Sequence, residues 1–260
     1  MILRRVIQHV KKQEWTAIWI DLVIVVVGVF IGIQVANWNE ERQTRQKADG
    51  FTTQLMADLR LTSWNYQFFL EYYRDVRAAA EITVDALSGR APLSNEDLLI
   101  NAYRATQYKT NASRRSTYDE LVSTGNLGLI SDSELRRKVG RVYGNVAIDS
   151  MAREGVESRY REWFRMHMPT EVQRALGKQC GDKYILPGDY TNFDKVIDYP
   201  CKTGLPVDVI DSAAEVLRSD PLALQLLRLR IADIDTRLYD LTSNNRDIYD
   251  FLLDVAKEKP

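Results

Sequence analysis

The hydrophobic positions of the chain form two patterns, an unbroken apolar run and then a long periodic series. The run extends over 24 residues from Trp15 to Trp38, and its main polar interruptions are Asp21 and Gln34. Such a run would form a helix of roughly 36 Å, and a bilayer core needs about 20 apolar residues. Tryptophans at both ends are typical of membrane–water interfaces. The pattern therefore predicts a transmembrane helix at 15–38, with both polar side chains near its edges.

Beyond the run, the chain predicts a helical body at 39–260 that continues from the span. Residues 39–47 contain neither Pro nor Gly, so we expect the membrane helix to extend into water, with Gly50 as a possible interruption. A stripe at steps of three and four then predicts one helix face as far as Ser88 and Gly89. The stripe consists of Phe51, Leu55, Leu59, Thr62, Tyr66, Phe69, Tyr73, Val76 and Ala80.

Capping signals predict where later helices begin. Ser94 has an acidic residue three positions on and is expected to cap one helix. Ser131 is expected to cap a long helix that continues until Pro169 ends it. The last helix is predicted to begin with the carboxylate of Asp220 as its cap and Pro221 at its first position.

The last helix carries a coiled-coil-like stripe with one polar residue, Asn245, which predicts that this residue fixes the register. We expect the stripe to pack on the first one within the same chain, and a seam between subunits is the alternative. No alternating strand pattern longer than a few residues occurs. The sequence thus predicts an all-α fold, in which a single N-terminal transmembrane helix continues into an extracytoplasmic antiparallel helical bundle. The stripe consists of Leu224, Leu227, Ile231, Ile234, Leu238, Leu241, Asn245, Ile248, Leu252 and Val255.

The charged residues indicate which partners to expect and how the chain is oriented in the membrane. The 260 residues have a net charge of −1, so we expect no nucleic-acid partner. Residues 1–14 predict a basic amphipathic segment suited to an anionic cytoplasmic leaflet. Four basic residues precede the run and three follow it closely, which favours a cytoplasmic N-terminus and a body outside the cytoplasm. No small-x-small cleavage site adjoins the run, so an uncleaved anchor is favoured over a signal peptide.

Both cysteines, Cys180 and Cys201, lie in a stretch rich in turn residues, 177–206. A disulfide that closes this loop of about 20 residues would add roughly 3 kcal/mol in an oxidising compartment. That interpretation agrees with a body outside the cytoplasm. Two unpaired thiols in a cytosolic protein are the alternative.

Four residues of the run suggest what it does in the membrane. Gly28 and Gly32 have the spacing that lets two helix backbones approach closely, and Gln34 is able to hydrogen-bond across paired helices. Alternatively, these glycines are simply common membrane-helix residues. Asp21 allows a second hypothesis, because it resembles the intramembrane aspartate of the proton-coupled stator subunits of bacterial motors.

Residues that carry most enzyme chemistry are scarce. His9 lies in the basic segment, and His167 lies between two methionines, where a soft-metal site is the less favoured interpretation. The sequence contains no phosphate-binding loop, nucleophile elbow or zinc-protease motif. We therefore expect no catalytic residue, cofactor or metal site.

Two stretches resemble a family of uncharacterised bacterial single-pass membrane proteins with a Q-V-x-N-W-N-E-like junction after the span. The stretches are VVVGVFIGIQVANWNEER and TYDELVSTGNLGLISDSELRRKVGRVY, and the resemblance covers roughly residues 15–145. It implies an anchored inner-membrane protein with a periplasmic helical body, and it implies no activity. The matching positions are Gly28, Gly32, Gln34, Asn37, Trp38, Asn39, Glu40, Leu121, Gly125, Leu127, Ile130, Leu135 and Tyr143.

Together these features predict a non-enzymatic protein that acts by association, as a scaffold or accessory subunit of a membrane complex. Its expected partners are the lipid bilayer and either further copies of itself or another membrane protein. One alternative is a ligand-sensing body that signals through a partner. Another is a proton-coupled subunit that uses Asp21.

Overall fold

The fold is helical throughout the part of the chain that is described, residues 15–110 and 114–257 of a computed structural model. No strand occurs in those two ranges, which confirms the all-helical prediction. The helices are α1 Trp15–Leu87, α2 Asn95–Arg104, α3 Ser116–Ser123, α4 Ser133–Gly144, α5 Ala147–Val156, α6 Arg159–His167, α7 Thr170–Gln179, α8 Val207–Ser219, α9 Pro221–Tyr239 and α10 Arg246–Lys257. Two 3-10 turns, Leu127–Leu129 and Phe193–Lys195, and a π-helical segment, Asp240–Asn244, complete the described elements.

Helix α1 is the axis of the molecule. It contains 73 residues, which correspond to about 110 Å at 1.5 Å per residue. Gly50 lies inside it and causes no interruption. The helix ends where the sequence predicts, because Gly89 has a φ of +71°, a left-handed conformation that glycine adopts without strain.

The two halves of α1 differ in their surroundings. Before residue 50 nearly every side chain is exposed, whereas the predicted stripe from Leu55 to Ala80 is buried throughout. Leu55, Phe69 and Tyr73 are each 0 % exposed. Full burial of such a side chain contributes about 1.5–3 kcal/mol, so the second half of α1 is held by packing that the first half lacks.

Two hydrophobic clusters surround the second half of α1. The first lies along the α1 residues from Leu55 to Val76 and includes side chains of α3, α4, α5 and α10. The second lies around Ala80 and Val84 and includes side chains of α2, α6, α7 and α8. Helix α9 contributes to both, so it connects the two parts of the core.

The C-terminal helices pack along α1 of the same chain. The hydroxyl of Tyr66 donates to the carbonyl of Leu241, at 2.7 Å. Further along α1, the guanidinium of Arg77 forms an ion pair with Asp235 on α9. These contacts place the predicted C-terminal stripe against α1 rather than on a free surface.

The prediction of one continuous last helix is wrong, because the segment Asp240–Asn244 has π-helical hydrogen bonding between α9 and α10. The side-chain amide of Asn245 and its backbone N–H both donate to the carbonyl of Asp240, at 2.8 and 3.1 Å. Asparagine side chains compete for backbone groups in this way and disturb regular helices. Asn245 thus closes the π-helical turn of its own chain, and its role in a register or oligomer seam stays a prediction.

The prediction of one long helix that ends at Pro169 is also wrong, because that stretch of the chain forms three helices, α4, α5 and α6. The chain leaves the helical conformation at Asn145, which is extended with ψ of 123°. Ser158 then caps α6, and its hydroxyl accepts from the N–H of Arg161 at 3.5 Å. The apolar spacing continues across both breaks, so periodicity alone did not reveal them.

The capping predictions have mixed outcomes. Ser94 caps α2 and Asp220 caps α9, as predicted. The cap of α4 is Asp132 and not Ser131, because the Asp132 carboxylate accepts from two backbone N–H groups of the first turn, at 2.8 and 3.1 Å. A carboxylate at this position also interacts favourably with the helix dipole.

Candidate functional site

The apolar segment of α1 is the most unusual surface of the described chain. From Ile18 the helix includes an 18-residue window with a mean hydropathy of 2.5, and none of that window is buried against the rest of the molecule. Trp19 and Trp38, at the two ends of the segment, are each 65 % exposed. By length and composition this helix is able to cross a membrane, as the sequence predicts.

The small and polar residues of this segment face open space. A Cβ built on Gly28 or Gly32 would meet no atom within 4 Å. The side chain of Gln34 is exposed, and that of Asp21 is half-buried. The association role of Gly28, Gly32 and Gln34 and the proton role of Asp21 therefore stay predictions.

The cysteine loop is fixed to the body. A disulfide joins Cys180, just after α7, to Cys201, with their Cα atoms 5.5 Å apart. Inside the loop, the hydroxyl of Tyr199 donates to the carbonyl of Gly181 at 2.5 Å. The guanidinium of Arg104, on α2, donates to the carbonyl of Tyr199 at 2.5 Å. The loop is thus closed covalently and also held to the neighbouring helix.

Glu96 holds the end of the same loop. Its carboxylate accepts from the N–H and the hydroxyl of Thr203, both at 2.8 Å, and from the Lys202 ammonium at 3.0 Å. The Thr203 N–H is the main reason why the pKa of Glu96 lies below its usual value. The carboxylate is therefore ionised at neutral pH and anchors the loop to the start of α2.

A polar cluster of Tyr72, Lys109 and Asp182 lies inside the body. The hydroxyl of Tyr72 donates to the Asp182 carboxylate at 3.0 Å, and the Lys109 ammonium lies 2.6 Å from the same oxygen. Burial, followed by the charge of Asp182, raises the pKa of Tyr72 well above its usual value. The phenol thus remains a hydrogen-bond donor at neutral pH, and the cluster cross-links three distant parts of the chain.

Two arginines hold the segment 106–109, which leads to this cluster. Arg161 donates to the carbonyl of Thr106 at 3.0 Å, and Arg230 donates to the carbonyl of Gln107 at 3.1 Å. Arg230 is only 3 % exposed, and burial lowers its pKa. The two guanidiniums thus provide hydrogen-bond donors for carbonyl groups that lie beyond the end of α2 and have no helical N–H partner.

A cavity of about 170 Å³ lies beside Arg230 and is bordered by α5, α6 and α9. Glu154 and Asp233 both line it. Burial and the neighbouring charge of Glu154 raise the pKa of Asp233. Glu154 itself is paired with Arg237, at 2.5 Å. The charges around this cavity largely neutralise one another, and its size suits a small polar molecule.

His167 has a local structural role. Its ring stacks on Trp163 at 4.8 Å, and its Nδ1 lies 2.8 Å from the Trp163 carbonyl. Met166 is 68 % exposed whereas Met168 is 3 % exposed, so the two sulfur side chains do not converge on the imidazole. Among the described residues no group of three or more His, Cys, Asp or Glu side chains is arranged to hold a metal. His9 and the rest of the basic segment 1–14 lie outside the described residues.

No local sequence pattern points to the cluster of Tyr72, Lys109 and Asp182. These residues come from α1, from the segment after α2 and from the cysteine loop. Each looks like an ordinary surface or stripe residue in its own neighbourhood, so only the tertiary fold brings them together. The apolar segment and both cysteines, in contrast, carry signals that are local to the sequence.

Comparison of the chain with protein-family models, with curated proteins and with solved structures finds no match in any of the three.

Proposed function

We propose that the chain is a single-pass protein of a bacterial inner membrane that acts by association, as a scaffold or accessory subunit of a membrane complex. The observation that carries this proposal is the bare first half of α1, an apolar helix that the rest of the described chain leaves uncovered. A large exposed apolar surface is unfavourable in water and marks a contact with lipid or with another protein. A span of this length matches the thickness of a bilayer core.

The proposed orientation has the N-terminus in the cytoplasm and the body in the periplasm. The bond between Cys180 and Cys201 supports it, because disulfides persist in oxidising compartments. The slight excess of basic residues ahead of the span supports the same orientation. The resemblance of the junction VANWNEE to bacterial anchored proteins agrees with this membrane.

The body that this anchor holds is, we propose, an antiparallel bundle built on α1. The hydroxyl of Ser63 donates to the carbonyl of Leu252, and Arg77, further along α1, pairs with Asp235. Residue numbers thus rise along α1 while they fall along the C-terminal helices. That order is typical of an antiparallel pair, and it supports a rigid body suited to holding partners in place.

The association itself is proposed to occur first inside the membrane. Gly28 and Gly32 lie one turn apart, and the space over both is open. Small residues at this spacing let two helices approach closely enough for good packing, and Gln34 adds a polar group that could pair across the contact.

Membrane integration is tested by fractionation of cells that produce the full chain. We expect the chain in the membrane pellet after alkaline carbonate extraction and in solution only after detergent is added. A full-length chain in the aqueous fraction without detergent would refute the anchor. Orientation is tested with a membrane-impermeant protease, to which a periplasmic body is accessible in spheroplasts.

Association is tested by chemical cross-linking in the same membranes. We expect Gly28→Ile/Gly32→Ile to reduce the cross-linked species, because β-branched side chains keep the helices apart. The matched control is Val26→Leu/Phe30→Leu, which has the same spacing on the opposite face of the helix. Equal losses in both variants would contradict association through the glycine face.

Ligand sensing is the second candidate, and the cavity beside Arg230 is the observation that favours it. Under this hypothesis, a small polar molecule that fills the cavity raises the melting temperature of the purified protein. Arg230→Met should abolish that increase. A screen of polar metabolites in which none shifts the melting temperature would leave association as the better explanation.

A further inference from the structure

The cavity beside Arg230 has a buried floor and an exposed rim. Arg230, Tyr160 and Leu226 line it and are buried, whereas Glu157 and Asp233 line it and are exposed. Its volume is about 170 Å³. A cavity of about 150 Å³ holds benzene, which has six heavy atoms. The cavity therefore opens to solvent at its rim and has room for a molecule of about that size.

The guanidinium of Arg230 has unused donors at the floor of this cavity. A guanidinium has five N–H donors, and Nη2 of Arg230 donates to the carbonyl of Gln107 at 3.1 Å. The guanidinium carbon lies 5.9 Å from the centre of the Tyr73 ring. Its Nε has no hydrogen-bond acceptor among the described residues. Because a buried donor without an acceptor is costly, an anionic group beside this guanidinium would be favourable.

Helix α6 begins at the same cavity. Ser158, Arg159 and Tyr160 all line it. The hydroxyl of Ser158 accepts from the N–H of Arg161, whereas the N–H groups of Arg159 and Tyr160 belong to the first turn, which no carbonyl of α6 pairs. The start of a helix attracts anions through such N–H groups and through the helix dipole. The start of α6 and the buried Arg230 thus favour an anionic group at one cavity.

Acidic side chains favour a cationic group at the rim of this cavity. Glu154 is neutralised by its ion pair with Arg237, whereas Glu157 and Asp233 form no ion pair with a described residue. Asp233 lies three residues from Arg230 on α9, so the two side chains are neighbours on one helix face. Burial raises the pKa of Asp233, and the charge of Arg230 opposes this effect. The two charges therefore act on each other without being joined in an ion pair.

The charges that line the cavity are balanced once the pair of Glu154 and Arg237 is set aside. Two guanidiniums, of Arg159 and Arg230, then face the same space as the two carboxylates of the rim. A ligand with a single charge would meet charges of its own sign as well as of the opposite sign. A ligand with both charges is able to place each one beside its opposite, which favours it over either singly charged ligand.

We propose that this cavity binds a small zwitterion of the α-amino-acid class, with its carboxylate beside Arg230 and the start of α6 and its ammonium beside Asp233. The proposal rests on the second candidate function, ligand sensing, and gives that function a class of ligand. Leu226 and Leu229 also line the cavity and suit a short aliphatic side chain. The bound molecule connects α6 to α9, and it stabilises the folded body because the unfolded chain has no such site.

Three molecules with equal numbers of heavy atoms test the ligand class on the detergent-solubilised full chain. L-alanine carries both charges, isobutyrate lacks the ammonium, and L-alaninamide lacks the carboxylate. We expect L-alanine at about a hundred times its Kd to raise the melting temperature by about 5–10 °C. In calorimetric titration, isobutyrate and L-alaninamide should bind at least about tenfold more weakly, because each loses one charge-assisted contact. Equal affinities for the three, or no binding of L-alanine, glycine or L-serine, would overturn the proposal.

Asp233→Asn tests the cationic side of the site without changing the packed core, because Asp233 is exposed. The variant should bind L-alanine about tenfold more weakly and should bind isobutyrate no more weakly than the unmodified chain does. A general loss of folding would weaken both. Glu162→Gln is the matched control, since it makes the same carboxylate-to-amide change at an exposed residue of α6 that does not line the cavity. Equal weakening of L-alanine binding in the two variants would overturn the role of Asp233.

Arg230→Met tests the anionic side. We expect it to weaken the binding of L-alanine and of isobutyrate, while L-alaninamide keeps its lower affinity. Because Arg230 is buried, this variant is used only if its near-ultraviolet circular dichroism matches that of the unmodified chain, and otherwise Asp233→Asn decides. Retained isobutyrate binding in a folded Arg230→Met protein would overturn the role of Arg230.

The outcomes separate the ligand class from the function on which it rests. If another polar molecule raises the melting temperature while the three amino acids do not, the amino-acid class is overturned and ligand sensing stands. If no molecule does so, both are overturned. The membrane anchor is judged by carbonate extraction alone and does not depend on either result.

Discussion

Gly155 is a position in the body where one added methyl group should cost stability. It lies near the end of α5, where that helix approaches α1 and the segment after α2. A Cβ built there would lie 2.6 Å from the Cβ of Tyr108 and 2.8 Å from the hydroxyl of Tyr73. Tyr73 is 0 % exposed, so its ring has no free space to move into. Gly155→Ala therefore forces a backbone or ring displacement in a packed core.

Two opposing effects determine how much Gly155→Ala changes the free energy of unfolding. Overpacking of a core costs about 1–3 kcal/mol, and replacing glycine by alanine in a helix returns at most about 1 kcal/mol. Subtracting this gain from the cost of overpacking, we expect Gly155→Ala to lower the free energy of unfolding by about 1–2 kcal/mol. Gly140→Ala is the control, because its Cβ would meet only the Tyr118 hydroxyl, at an ordinary 3.7 Å.

The assay is guanidinium unfolding of the detergent-solubilised full chain, followed by near-ultraviolet circular dichroism of the body aromatics. We expect the midpoint of Gly155→Ala to fall while that of Gly140→Ala stays level or rises. A Gly155→Ala protein as stable as the unmodified chain would show that α5 does not approach Tyr73 and Tyr108 as closely as the fold requires.

Three further predictions use the same unfolding measurement. Cys180→Ser/Cys201→Ser should lower the free energy of unfolding by roughly 3 kcal/mol, because the closed loop restricts the unfolded chain, and reductant should affect only the unmodified protein. Tyr66→Phe should cost about 0.5–1.5 kcal/mol, since it removes the hydroxyl that donates to the π-helical segment, whereas Tyr239→Phe, at a 60 % exposed site, should be neutral. The N–H of Leu222, followed by the indole of Trp163, lowers the pKa of Asp220, so its stabilisation is present above its unfolded pKa of about 4 and is lost as pH falls through the lower folded value. Asp220→Asn should accordingly flatten the acid loss of stability below about pH 4, and an unchanged pH profile would contradict that assignment.

The sequence predicted those parts of the fold whose causes are local. The long apolar helix, the stripe from Leu55 to Ala80 and the caps at Ser94 and Asp220 all follow from neighbouring residues, because hydropathy, helix period and capping are properties of short segments. The breaks at Asn145 and Asn245 were missed, since apolar spacing continues across them. They depend on side chains that bind backbone carbonyls or N–H groups, which compete with helix formation by small margins.

The features of the candidate site also differ in whether the sequence alone reveals them. The exposed segment with Gly28 and Gly32 and the pair of cysteines were visible in the sequence, because hydropathy and cysteine count are compositional signals. The cluster of Tyr72, Lys109 and Asp182 was not visible, because tertiary packing alone makes neighbours of residues so distant in the chain.

The unbroken course of α1 has a mechanical consequence. Helices bend sharply at proline, at π-bulges or where a side chain interrupts the ladder, and α1 contains no proline between residues 15 and 87. The exposed half and the packed half of α1 must consequently rotate together about the helix axis. A rotation imposed on the exposed apolar half of α1 would therefore turn the helices packed on residues 55–80 through the same angle, some tens of ångströms away.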